Sequence, residues 1–485
     1  VPEIEALIGL EVHAQLSTSS KLFCRCGTAF GEPANSLVCP VCLGLPGSLP
    51  VVNMRAVEMA AMVGLALGCR VNPISVFARK SYFYPDLPKG YQISQYDRPL
   101  CEGGEVTVSL DGAAKRVRLI RIHLEEDAGK SLHSADAAGG FSLVDFNRCG
   151  VPLIEVVTEP EITSPREAVA CLEAVKQVLE YLDVCDGDME KGNLRVDSNV
   201  SVRQRATGGM GANTEIKNLN SFKNLESALS VEIARQSLIL SGGGRVIRQT
   251  LLWDETQREC VPMRAKEEAH DYRYFPEPDL PPLMMAQELV TRLRDSLPEP
   301  PWRRRQRFES EYKLPAYDAA LLTSAKAIAD YYEECVKAGA GPKLASNWVM
   351  TDVLRAVKDV AAGIAGLKVG PAGLAELLKL LQDGVISGSI AKSVFAEMIR
   401  TGDGAYDITM RRGLVLLKDK RLIESAATRV VDSEYEAVER WVKGEEKTFE
   451  FLVGKVMAAT SGRADPRLVR EALRAALARA GGGGR

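Results

Sequence analysis

Apolar and polar positions alternate strictly at the start of the chain. In IGLEVHAQL, Ile8, Leu10, Val12, Ala14 and Leu16 fall on one side and Gly9, Glu11, His13 and Gln15 on the other. A period of two predicts a β-strand with one face on a core. NLRVDSNVSVR repeats the pattern, setting Leu194, Val196, Ser198, Val200 and Val202 against Arg195, Asp197, Asn199, Ser201 and Arg203. RIHLEEDAGK ends a strand on Glu125, Glu126 and Asp127, PLIEVV carries Glu155 inside an apolar run, and TEIKNLNS adds Glu215 and Lys217. Three helices interrupt the strands. One begins near Asn53 and runs through RAVEMAAMVGLALG. A second follows Ser164, where Ser164, Pro165 and Glu167 supply the N-cap, the proline of the first turn and the capping-box acid. The third, FKNLESALSVEIARQSLIL, stops at Gly242 to Gly244.

This mixture predicts an α+β domain over residues 1–294. Prolines at 281, 282, 298, 300 and 301 mark a change of character, and the main boundary is expected near residue 294. Beyond it, PAGLAELLKLLQDG and SEYEAVERWVKG read as amphipathic helices, giving a helical domain over 295–408 and a helical tail over 409–485. The closing residues 481–485, four glycines and Arg485, are expected to fray.

Composition narrows the function classes. At 485 residues the chain exceeds what one core usually supports, so two to three domains are expected. A net charge of −3 from 61 basic and 64 acidic residues excludes a uniformly basic nucleic-acid coat and leaves only regional RNA contact. No apolar run is long enough to span a bilayer, so no membrane contact is expected. A cytoplasmic location is the expectation, with an organelle left open by a chain numbered from Val1.

Each carboxylate taken singly reads as a solvated charge. Several strands of one sheet, each delivering one, would with His13 make an oxygen-rich site suited to Mg²⁺ and phosphoryl transfer. Alternation does not tell which of Glu125 and Glu126 points into it. Gly129-Lys130-Ser131 is not a phosphate-binding loop, because Leu124 stands where that motif needs a glycine. Cys24-Arg25-Cys26 and Cys39-Pro40-Val41-Cys42 fit a tetrahedral, structural Zn²⁺ site, and the other cysteines read as small buried hydrophobes. FARKSYFYPDLPKGYQISQYDRPL interleaves Arg79, Lys80 and Lys89 with Tyr82, Phe83, Tyr84 and Tyr91, as a single-stranded RNA end requires. PWRRRQRF reads as a solvated basic helix face.

IGLEVHAQL, LPGSLPVVN, KSYFYPDLPKGYQISQYD, HLEEDAGKS, SLVDFNRCGVPLIEVVTEPEI, EIKNLNSF and DYRYFPEPDLPP together resemble the signatures of one family, the GatB component of the aspartyl/glutamyl-tRNA amidotransferases. The resemblance continues through LPAYDAALLT, SNWVM and FLVGKVM. It implies a ligase that uses ATP to phosphorylate the side-chain carboxylate of mischarged Glu-tRNA(Gln) or Asp-tRNA(Asn), and then lets ammonia displace the phosphate. The ammonia would come through a channel from an amidase partner, GatA, braced by a small third component, GatC. The implied fold is a glutamine-synthetase-like antiparallel cradle followed by an all-helical region that contacts tRNA. Carried onto this chain, the catalytic Mg²⁺ site falls on Glu11, His13, Glu126, Glu155, Asp197 and Glu215. Lys80, Tyr82, Tyr84, Lys89 and Lys217 would line the nucleotide or acceptor-end surface. Zinc on the four cysteines would be structural, since the cluster occurs in some members only. A non-catalytic tRNA-binding scaffold and a ligase acting on a free small molecule are the other two readings.

Overall fold

The computed structural model describes residues 4–482 except 111, 134–140, 205–210, 264–271, 359 and 361–362, so the fraying expected of the final glycines falls largely outside the described residues. Two compact units divide the chain, Val1–Trp302 and Arg303–Arg485. Among the described residues no helix is long and apolar enough to cross a membrane.

The first unit is built on six principal strands: β1 (Ile4–Gln15), β2 (Ala113–Glu126), β3 (Pro152–Thr158), β4 (Leu194–Gln204), β5 (Thr214–Leu219) and β6 (Gln249–Asp254). They lie in the order β6-β5-β4-β1-β3-β2 within a ten-stranded sheet, antiparallel except where β5 pairs with β6. The apolar side of β1 is the core side: Ile8, Leu10, Val12, Ala14 and Leu16 are all buried. They share one hydrophobic cluster with Val57, Leu172, Val175 and Leu225 from three helices, α1 (Met54–Ala66), α2 (Pro165–Tyr181) and α3 (Phe222–Ser241).

Those helices start where polar side chains satisfy their free N–H groups. Asn53 accepts from the Arg55 N–H, Ser164 from that of Glu167, and Ser221 from that of Asn224. The Glu167 carboxylate reaches one residue further back than a standard capping box, to the Thr163 N–H at 2.9 Å. The α+β class read from the pattern is the one the unit adopts. Its end lies at Trp302, beyond the expected residue 294. Helix Gln287–Asp295 buries Val290 and Leu293 in the first core, and Leu297 and Trp302 pack against the same cluster.

In the second unit helices dominate. One core gathers Phe308, Tyr332, Trp348, Leu377 and Phe395, and another gathers Ile423, Val430, Leu452, Leu473 and Leu477. The basic run in PWRRRQRF is not wholly a solvated face. Arg304 turns inward to Glu333 at 2.6 Å, because Glu333 on the facing helix Lys326–Lys337 offers a buried carboxylate.

Candidate active site

The register across four strands composes the polar face. His13 lies opposite Arg195 on β4 and Glu155 on β3, and Glu155 lies opposite His123 on β2. Beside this row, Glu11 lies opposite Asp197, and Asn199 opposite Glu215. Paired residues project to one side of a sheet, so strand pairing itself collects these groups. A three-stranded sheet of Phe77–Ser81, Tyr91–Gln95 and Phe275–Pro276 contributes Lys80, Gln92 and Ser94 to the same space. Tyr82, Tyr272 and Tyr274 complete a cleft of about 520 Å³.

Ligand atoms of three overlapping groups lie within 4.8 Å of one another: Glu11, His13 and Glu155; Glu11, Asp197 and Glu215; and His123, Glu125 and Glu155. The Nδ1–H of His13 donates to Glu125 Oε1 at 3.0 Å. Burial of the ring works to lower the His13 pKa, but the charge of Glu155 and the hydrogen bond to Glu125 outweigh it and carry it to about 9. Burial would raise the Glu155 pKa, yet His123 and His13 hold it well below the carboxylate range. Glu11 is pushed up, by burial first and then by Glu155, Glu215 and Asp197. Its carboxylate accepts from Asn199 Nδ2 at 2.7 Å.

Cations offset this acidity. The Lys217 ammonium is seated between Asp197 and Glu215, 2.9 Å from the latter. Arg195 bonds Asp127 at 2.8 Å, and Gln15 donates to the same carboxylate. Burial of Lys80 is outweighed by Tyr274, Glu125 and Glu155, so its ammonium titrates above the ordinary lysine range. Tyr96 stacks on Tyr274 with centroids 4.2 Å apart, and Tyr272 meets both Tyr274 and Tyr82 edge-on, which makes one wall aromatic.

Of the residues expected here, Glu11, His13, Glu155, Asp197, Glu215, Lys217, Lys80 and Tyr82 line the cleft. Glu126, Lys89 and Tyr84 do not. Glu126 faces the other way, paired with the Lys89 ammonium and accepting from the Ile93 N–H at 2.8 Å. Both belong to a separate small cavity walled by Lys21, Cys42 and Tyr91. Tyr84 is 64% exposed. Glu125 takes the place in the cleft expected of Glu126. His123, Arg195, Asn199, Tyr272 and Tyr274 also line it and were not singled out. The signal for His123 and Glu125 was their spacing of two, and for Arg195 its alternation with Asp197.

The four cysteines converge. Sγ of Cys42 lies 3.5 Å from that of Cys24, 3.7 Å from Cys39 and 3.8 Å from Cys26. These are too long for disulfides and match the edge of about 3.8 Å in a tetrahedron with metal–sulfur bonds of about 2.3 Å.

Fold and cleft together define a class: an antiparallel cradle whose polar face gathers carboxylates, imidazoles and ammonium groups, with a helical region later in the chain. Residues 6–291 match the family model of the GatB/GatE catalytic domain, and residues 330–477 that of the GatB domain. The chain is 49% identical over 469 residues to the B subunit of the aspartyl/glutamyl-tRNA(Asn/Gln) amidotransferase of Thermodesulfovibrio yellowstonii, across 97% of this chain and 98% of that one. It is 50% identical over 475 residues to the corresponding protein of Moorella thermoacetica, across 98% and 100% of the two chains. The chain belongs to the GatB family of amidotransferase subunits, and so to a ligase-class enzyme.

Proposed function

We propose that this chain phosphorylates the side-chain carboxylate of mischarged Glu-tRNA(Gln) or Asp-tRNA(Asn) with ATP and then amidates it, giving Gln-tRNA(Gln) or Asn-tRNA(Asn). The observation that carries this reading is the convergence of carboxylates, His13 and the ammonium groups of Lys80 and Lys217 in one cleft with an aromatic wall. In the first step a carboxylate oxygen of the substrate attacks the γ-phosphorus and ADP leaves. In the second, ammonia attacks the acyl carbon, a proton is lost and inorganic phosphate leaves.

The donor set fits a hard divalent cation: carboxylate oxygens, with no more than one imidazole in any of the three groups. Glu11, His13, Glu155, Asp197 and Glu215 would hold Mg²⁺, with Glu125 in place of Glu126, and the bound ion would offset phosphate charge during transfer. Glu125 orients the His13 ring through its hydrogen bond. Lys217, Lys80 and Arg195 bring positive charge to the space where phosphate oxygens would lie. Tyr82, Tyr272 and Tyr274 offer faces on which a nucleobase stacks. Ammonia would come from an amidase partner, GatA, with GatC in the same assembly, and the helical region would contact the tRNA. Zinc on Cys24, Cys26, Cys39 and Cys42 would be structural, because four thiolates leave no open position. The assembly would act in the cytoplasm.

ATP hydrolysis by the assembled complex, with and without mischarged Glu-tRNA(Gln) and Asp-tRNA(Asn), tests the reading. Stimulation by a mischarged tRNA, with formation of the amide on that tRNA, is the expected result. Equal hydrolysis with uncharged tRNA, or turnover on free glutamate, would overturn it.

A further inference from the structure

Lys21 has its whole side chain buried. Its ammonium donates to Leu37 O at 2.7 Å and lies 3.4 Å from Phe146 O and 3.5 Å from Cys42 Sγ. Among the described residues no carboxylate forms an ion pair with it. A buried ammonium is costly unless an opposite charge lies beside it, and carbonyl oxygens solvate such a charge without cancelling it. The remaining contact is a sulfur that itself touches the sulfurs of Cys24, Cys26 and Cys39. Four neutral thiols would leave Lys21 uncompensated. Four thiolates around Zn²⁺ carry a net charge of −2, and an ammonium donating to one of them reduces it to −1.

We infer that Lys21 is the internal counter-ion of the cysteine metal site and the residue that fastens it to the cradle. The inference rests on the zinc reading above. The fastening is visible around the ammonium. Phe146 O opens the turn that leads into β3, the strand of Glu155. Leu22 N donates to Gly150 O at 2.8 Å in that turn, and Cys149 Sγ to Cys42 O at 3.4 Å. Lys21 and the Lys89–Glu126 ion pair also wall one cavity of about 30 Å³. The metal site, the buried lysine and the start of a strand that carries a candidate ligand therefore form one packed unit. Lys21 is a positioning residue: it acts through the sulfur it touches.

Zinc content by elemental analysis and zinc release to a chromogenic chelator, in the purified complex, test the inference with Lys21→Met and Lys21→Arg. The wild type should hold one zinc per chain. Lys21→Met should release it ten- to a hundredfold faster, the loss typical when a partner of a metal ligand is removed. Lys21→Arg, which keeps the charge, should stay within about threefold of wild type on the same scale. Release from Lys21→Met at the wild-type rate would overturn the inference while leaving zinc in place, and so would equal acceleration in Lys21→Arg, which would mark a packing role. A wild type that holds no zinc would overturn the zinc reading itself. Should Lys21→Met not fold, Lys21→Leu and the arginine variant carry the same comparison.

Discussion

Glu125 Oε1 stands 3.0 Å from His13 Nδ1, reaching across the intervening strand β3. Its sequence neighbour Glu126 is equally buried but sits on the opposite side, held by Lys89. One residue of strand register thus separates a carboxylate that orients an imidazole from one that closes an ion pair.

Glu125→Gln and Glu126→Gln should therefore fail differently. Glu125→Gln keeps the hydrogen-bonding shape but removes the charge facing His13, so tRNA-stimulated ATP hydrolysis should fall by about ten- to a hundredfold with the melting temperature little changed. Glu126→Gln leaves the Lys89 ammonium without its counter-charge, a loss of about 3 kcal/mol or more, so its first symptom should be a lowered melting temperature. Calorimetry beside single-turnover kinetics separates the two. A fully active Glu125→Gln enzyme would remove Glu125 from the site.

The difference between these two acids also marks how far the sequence is legible. Alternation in IGLEVHAQL and NLRVDSNVSVR placed Glu11, His13 and Asp197 on polar faces, because a period of two needs no partner to be read. The choice between Glu125 and Glu126 at the end of β2 required knowing that Glu155 pairs with His123, a fact of tertiary register. Tyr272 and Tyr274 were invisible for a similar reason. They reach the cleft because Phe275 pairs with Arg79, a contact between segments far apart in sequence. The cysteine pairs were the most legible feature, since their spacing is itself the geometry of a site.

Lys217 fills the space between two carboxylates that a divalent cation would also bind. Lys217→Met removes that internal competitor, so Mn²⁺ affinity without nucleotide should rise about tenfold, equivalent to about 1.4 kcal/mol. On the proposed function ATP turnover should fall, because the cleft loses one of its positive charges with it. Isothermal titration of Mn²⁺ into both proteins checks the first part. Unchanged affinity would mean that Lys217 does not occupy the cation's place in solution.

The aromatic wall makes a separate demand on substrate binding. Tyr82 lines the cleft, whereas Tyr84 is largely exposed and outside it. Stacking on a base contributes about 1–3 kcal/mol, so Tyr82→Ala should raise KM for the charged tRNA or for ATP roughly five- to a hundredfold. Tyr84→Ala should leave both constants near wild type. Steady-state kinetics with each substrate varied in turn identifies which base the wall holds, and equal effects of the two variants would count against a stacking role.

Glu333 gives the helical unit a specific acid sensitivity. Burial would raise its pKa, but the hydrogen bonds from Arg307 and Arg304 outweigh it and hold the carboxyl down at about 2. A carboxylate depressed in the folded state contributes stability that is fully present above its ordinary value of 4.5 and is lost as the pH falls from there towards 2. Glu333→Gln removes this contribution and leaves Arg304 with Asp330 alone, which should cost about 1–3 kcal/mol at pH 7. Thermal melts of the full chain should show the variant well below wild type at pH 7, with the gap narrowing as the pH falls from about 4.5 towards 2. Two melting curves that stay equally far apart at pH 7 and pH 3 would show that the charge on Glu333 is not what stabilises the contact.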